Sequence, residues 1–203
     1  MKSNSQRIAE SISLALNPFF LLPFVFIIAL FLTKFPTFEY QIKWVGVIFI
    51  ANMFIPFLWI SYLDYRGVVI DDTLAHHKLH RQRLKALIPI IMIIALEIIL
   101  MLIFQKYNPL FAVFIGSFVV SVISGIISYF WKISAHMIGI STTITLLTLL
   151  LGTWVLWSVV FIPAIIWARL KLHRHTLLQL LVGFIVPPVV ILIVFNYFNL
   201  VRW

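Results

Sequence analysis

An all-α, polytopic transmembrane helical bundle of about six to seven spans is the fold this sequence predicts. Composition, the shape of the apolar runs and the lack of cysteine lead there. Of the 203 residues, 63% are hydrophobic and only 10% charged, with a mean hydropathy of +1.12. A soluble domain so composed would expose apolar patches and aggregate. The apolar residues form long unbroken runs, whereas barrel strands alternate apolar and polar residues over about ten positions. The absence of cysteine removes disulfides, thiolate metal sites and redox motifs from consideration.

Taken in order, the stretch MKSNSQRIAESISLAL is polar and then amphipathic, which predicts an interfacial segment over 1–15 with Arg7 toward lipid headgroups. The run 16–33 predicts the first span. It lacks a small-residue cleavage site before TKFPTFEYQ and reads as a retained helix. Within it, NPFFLLPF (17–24) reads as a helix start with aromatic anchors. Spans follow over 44–63, 86–105 and 109–130. A single helix over 138–168 would measure roughly 45 Å, too long for a hydrocarbon core of about 30 Å. Gly152 and Thr153 in LLLGTW therefore divide it into 138–152 and 153–168. The last span, 177–199, carries Pro187 and Pro188, which predict a kink. Glu97 lies mid-span in IIALEIILM, either as a functional acid or hydrogen-bonded to a neighbouring helix. No glycine-rich loop, repeat or low-complexity tail divides the chain, so one membrane domain is expected over 1–203.

Seven spans put the N-terminus, 64–85, 131–137 and 169–176 on one side, and 34–43, 106–108 and the C-terminus on the other. All six histidines fall on the first side: His76, His77, His80, His136, His173 and His175. So do Lys2, Arg7, Arg66, Lys78, Arg81, Arg83, Lys85, Lys132, Arg169, Lys171 and Arg174, against Lys34, Lys43, Lys106 and Arg202 opposite. Cationic loops mark the cytoplasm, which predicts a cytoplasmic N-terminus and histidine side in a cell-membrane protein. Topology alone explains any one Lys or Arg. It does not explain the histidines, which are largely neutral at pH 7. Their grouping points to a common site.

Three segments carry that chemistry. In DDTLAHHKLHRQRLKAL (71–87), Asp71 or Asp72 can cap a helix bearing His76, Lys78, His80, Arg81, Arg83 and Lys85. WKISAHMIG (131–139) joins spans four and five, and WARLKLHRHTLLQLLVGF (167–184) joins spans six and seven. Arg169 and His175 can face one cavity only if the chain turns between them. Clustered guanidinium and ammonium groups suit a phosphate. Two histidines allow attack by one and proton donation by the other. None of the carboxylates Glu10, Glu39, Asp64, Asp71, Asp72 and Glu97 lies in the second or third segment, which disfavours a magnesium site. His76 and His80 have the spacing of a zinc pair, but the cations around them would repel a metal ion.

These residues resemble the type 2 phosphatidic acid phosphatase superfamily, whose fold is shared with vanadium haloperoxidases. The family's second motif is P-S-G-H. Here ISAH keeps Ser134 and His136, with Ile133 and Ala135 at the other positions. Its third is S-R-x5-H-x3-D, and ARLKLHRHTLLQ keeps Arg169 and His175, with Ala168 for Ser and Gln179 for Asp. The first motif, K-x6-R-P, is approximated by KLHRQRLKA: Lys78 is present, followed seven residues on by Lys85 and then Ala86. Order and spacing hold over residues 76–180, as in a divergent bacterial branch.

The resemblance implies an integral-membrane, metal-independent phosphatase acting on a lipid phosphate or diphosphate, without a cofactor. His175 would be the nucleophile that becomes phosphohistidine, and His136 the acid that protonates the leaving group. Arg169, Lys78, Arg81 or Arg83 and Ser134 would hold the phosphate; Lys132 is added from its position alone. Gln179 stands where a carboxylate would orient and charge-stabilise the imidazole. An amide there can orient the ring but supplies no charge. Membrane lipids and the lipid substrate are the expected partners, with no nucleic acid. The alternatives are a phosphotransfer member that passes the phosphoryl group to an acceptor other than water, and a non-catalytic protein that binds or transports lipid phosphates.

Overall fold

The computed structural model describes residues 3–67, 80–103 and 109–201, and of Phe19 and residues 80–83 it describes the backbone. The described residues are mostly helical, with no strand among them, so the chain is an all-α polytopic bundle. Among them, six helices are long and apolar enough to cross a membrane, and Ala135–Leu151 is a shorter apolar helix.

Helix α1 (Asn4–Ala15) starts at a capping box, in which Ser3 and Gln6 satisfy each other's backbone N–H groups. It packs against the helix that ends at Lys171, with Ala9 and Ser13 buried, so protein contacts hold it at the bundle edge. Helix α2 (Pro18–Leu32) starts almost at once after it. At its far end Thr33 Oγ1 donates to Ala29 O (2.7 Å) and accepts from Leu110 N (3.1 Å), tying the ends of two spans together.

The second span begins earlier than expected, because Thr37 caps α3 (Phe38–Phe49). It continues through a π-helical turn, Ile50–Phe54, into α4 (Ile55–Tyr65). Pro56 explains the turn. It has no N–H to give the carbonyl four residues back, and the ladder widens so that Ile55 N–H reaches Ile50 O. Helix α5 (His80–Ile103) is bound to α4 by Trp59 Nε1 donating to Lys85 O at 2.8 Å. Glu97 in α5 is buried and accepts from Asn52 Nδ2 at 2.7 Å, the neighbouring-helix bond that was one of its two expectations. The N-terminal caps expected from Asp71 or Asp72 lie outside the described residues.

Helix α6 (Leu110–Phe130) is the most buried of the long spans, and α7 (Ala135–Leu151) ends at Gly152, whose φ of +104° breaks the helix where the split was expected. The sixth span departs from the expected continuous α-helix. Thr153–Val160 is a 3₁₀ helix, and only Phe161–Lys171 (α8) is α-helical. A 3₁₀ helix rises about 2.0 Å per residue, against 1.5 Å in an α-helix, so this stretch reaches about 32 Å rather than about 28 Å. That makes a short sequence long enough for a core of about 30 Å. Helix α9 (Leu177–Tyr197) runs unbroken through Pro187 and Pro188.

Two glycines set the packing around α7. A Cβ at Gly139 would overlap the Pro18 ring, standing 2.8 Å from its Cγ, so the start of α2 comes this close to α7 because position 139 has no side chain. A Cβ at Gly183 of α9 would lie 3.1 Å from both Met137 Cβ and Ser134 O. Gly139→Ala should therefore lower the stability of the purified protein by about 1–3 kcal/mol through overpacking. Gly116→Ala would meet only Ile191 Cγ1, at 3.6 Å, and should be neutral or stabilising. Thermal unfolding in detergent, followed by circular dichroism, reads both. An unchanged midpoint for Gly139→Ala would show that α2 and α7 do not depend on this approach.

Candidate functional site

A cavity of about 370 Å³ lies among α2, the π-helical turn, α4, α5, α6 and α7. Its wall is largely apolar, from Phe26, Ile60, Leu87, Ile90 and Ile94 among others. At the end where α6 gives way to α7, the lining becomes Ser128, Lys132, His136, His175 and Asn17. Three of the sequence-predicted residues, Lys132, His136 and His175, thus share one mouth.

The local sequence explains how they arrive there. Trp131 ends α6 in extended backbone, and the loop carries Lys132 to Ser134. Ser134 is fully buried, and its Oγ accepts from Met137 N at 3.4 Å as the N-cap of α7. This fixes the first turn of the helix and with it His136, its second residue. Ser134 lies behind the cavity wall, not in it.

The turn required between Arg169 and His175 is a Schellman motif. Helix α8 ends with His173 N donating to Leu170 O (3.0 Å) and Arg174 N to Arg169 O (3.1 Å), with His173 left-handed at φ +52°. The chain then reverses into α9, capped by Thr176. His175 is the residue just before that cap. Arg169 (2% exposed), His175 (5%) and Lys132 (7%) are all buried, an unusual state for such groups. Arg169 lies in the last turn of α8, where the helix dipole favours a cation.

Gln179 has a task of its own. Its Oε1 accepts from Thr176 N (3.1 Å) while Thr176 Oγ1 accepts from Gln179 N (3.4 Å), which closes a capping box. The carbonyl end of this side chain is spent on the backbone next to His175. Lys78 lies outside the described residues, as do His76 and His77; Arg81 and Arg83 fall on the first turn of α5, but their side chains lie outside them.

Asn17 was missed by the sequence reading, which assigned it only to a helix start. Its carbonyl accepts from Phe20 N (3.0 Å) and Leu21 N (3.3 Å), so it begins α2 and sits in the same mouth. An Asn-Pro pair before an apolar run is an N-cap signal that could have placed it there. The N-termini of α2, α7 and α9 thus meet around one opening. Helix N-termini carry partial positive charge and donate to anions. Lys132 and two imidazoles line the cavity at the same end; Arg169 is buried in the last turn of α8, before the Schellman turn, and does not line it.

The Schellman turn yields a stability test. A histidine in the left-handed region is strained relative to glycine. His173→Gly should leave stability unchanged or raise it by up to about 1 kcal/mol, whereas Thr176→Ala should cost about 1 kcal/mol by removing the cap. Thermal unfolding of the two variants checks the pair. A large loss in His173→Gly would mean that its imidazole, not the turn, holds α8 to α9.

Comparisons with known protein families, with curated proteins and with solved structures return no match.

Proposed function

We propose that this protein is an integral-membrane phosphatase of lipid phosphates or diphosphates, of the type 2 phosphatidic acid phosphatase kind. One observation carries the reading: the cavity is itself amphiphilic. Lys132, His136 and His175 meet at a mouth ringed by helix N-termini, and apolar side chains line most of the rest. A ligand complementary to it has an anionic head and an apolar body.

In this reading a ring nitrogen of His175 attacks phosphorus, and the bond from phosphorus to the lipid oxygen breaks. The imidazolium of His136 gives its proton to that oxygen. Water then attacks the phosphohistidine while giving a proton to the neutral His136; the phosphorus–nitrogen bond breaks, releasing inorganic phosphate and restoring both histidines. Lys132 and Arg169, with amides of the first turns of α7 and α9, offset the charge on the phosphoryl oxygens. Lys78, Arg81 and Arg83 would add cations from the start of α5. Ser134 and Gln179 serve by fixing the helix starts that carry His136 and follow His175.

His175→Ala should abolish phosphate release from phosphatidate in detergent micelles while leaving lipid binding measurable. His136→Ala should lose most with poor leaving groups, since general acid catalysis contributes roughly 10²–10⁴-fold where the leaving oxygen needs a proton. Release at the wild-type rate by folded His175→Ala protein would sink the assignment. Binding without release by the wild type would leave a lipid-phosphate binder.

The excess of cations beside this mouth further suggests that the N-terminus and site face the cytoplasm. Lys171→Cys and Lys34→Cys, both at exposed positions on opposite ends of the bundle, can be probed in intact cells with a membrane-impermeant thiol reagent. The expected result is labelling at position 34 alone. Labelling at 171 alone would reverse the orientation.

A further inference from the structure

Away from the mouth, the cavity reaches the π-helical turn, where Ala51 and Asn52 line it. Asn52 lies about 20 Å along the span from the end of α4 at Tyr65, deep in the bundle. Glu97 stands next to it. On α5, Ile90, Ile93 and Ile94 line the cavity, and Glu97, 1% exposed, is the next position on the same stripe. Asn52 joins the two places. Its Nδ2 donates to Glu97 Oε1 at 2.7 Å and to Ile48 O at 3.3 Å.

A carboxyl at this depth raises a question of charge balance. Glu39 and Asp64 are exposed near the ends of their span, and Glu39 pairs with Lys43. Among the described residues Glu97 has only Asn52 as a partner, its Oε2 has none, and no Lys, Arg or His lies against it. A bare carboxylate in an apolar interior costs far more than an unmet hydroxyl, so a positive species must complete the site. A proton is the smallest such species. With Oε1 accepting from Asn52, that proton would sit on Oε2 and meet no acceptor among the described residues.

The π-helical turn supplies what a metal ion needs instead. Both hydrogens of the Asn52 amide are engaged, which leaves Oδ1 as an acceptor on a side chain that lines the cavity. The adjacent carbonyl, Ala51 O, has lost both of its helical donors. Ile55 N–H goes to Ile50 O, and Pro56 has no N–H to give. Carbonyls released where a membrane helix is interrupted coordinate Na⁺ in transporters, and π-helical turns gather at functional sites. One carboxylate balances one charge, whereas Ca²⁺ recruits several carboxylates.

We propose that Ala51 and Asn52 of the π-helical turn bind an alkali-metal cation, with Glu97 supplying the balancing charge. Ala51 O and Asn52 Oδ1 are the ligands from the cavity side, and water in the cavity completes the shell. Glu97 Oε1 holds the amide by its Nδ2 and polarises it, so that the oxygen turned to the cation is the more negative. This site does not depend on the phosphate reading of the mouth.

The test measures retention of radiolabelled sodium, and of rubidium in place of potassium, by the purified full chain in detergent. Choline chloride keeps the ionic strength constant. The wild type should retain one of the two ions at an equimolar ratio, displaced by the unlabelled salt and not by choline chloride. The same salt should raise the midpoint of thermal unfolding, because a ligand of the folded chain alone stabilises it. Glu97→Gln keeps the shape and the bond from Asn52 but removes the charge, and should weaken retention by about 10–100-fold. Asn52→Leu, which removes a ligand, should abolish it. Circular dichroism checks that each variant is folded, and the wild-type measurements decide by themselves if one is not. Retention of neither ion by the wild type at neutral or alkaline pH, with no salt-specific shift in midpoint, overturns the proposal and leaves Glu97 a protonated acid. Undiminished retention by folded Glu97→Gln or Asn52→Leu overturns it as well.

Discussion

The bundle depends on how closely the first turns of α7 are approached from two sides. Pro18 rests on Gly139, and Gly183 lets α9 sit against Ser134 and Met137. Both contacts lie within five residues of His136. They bring together α2, α7 and α9, which start at the same end of the molecule, and pull their N-termini around one opening. A methyl group at either glycine would wedge a helix away by a distance comparable to a hydrogen bond's tolerance. Asn17, His136 and His175 would then lose their common mouth even if every helix remained intact.

The same convergence shapes the electrostatics. Taking a cation out of water is expensive unless something compensates. Among the described residues Lys132 and Arg169 are buried at this end, while the buried acid Glu97 is bound to Asn52, which lines the cavity from the π-helical turn. Three positive helix ends point to the same region and add to its positive potential. The wall beyond it is largely apolar, so the polar and charged groups of the cavity are concentrated at this end.

Much of this was legible in the sequence, for definite reasons. The unbroken apolar runs marked out the spans, because lipid leaves the backbone no alternative to helix. Gly152 marked its own break, since few other residues adopt φ near +104°. The spacing of Arg169 and His175 required a turn, and the structure supplies one through His173. Other features depended on distance across the fold. The 3₁₀ form of Thr153–Val160 has no strong residue signature. The contacts of Gly139 and Gly183 depend on neighbours far away in the chain. Ser134 and Gln179 look like site residues by motif, yet both bond to the backbone as helix caps, a choice between two polar tasks that spacing alone does not make.

The π-helical turn at Ile50–Phe54 is the shape of one surplus residue in a helix. Each residue advances an α-helix by about 100°, so the two halves of this span are out of phase with each other by that amount. Trp44 and Ile48 point into the core before the turn, and Trp59 reaches the carbonyl of Lys85 after it. Loss of a single residue between them would mend the hydrogen-bond ladder but rotate one half against the other. Either the core would lose Trp44 and Ile48, or α5 would lose Trp59, and Asn52 would swing away from Glu97. This stretch of chain is therefore far more sensitive to its length than to its lettering: a gap of one position matters here more than most exchanges of one apolar side chain for another.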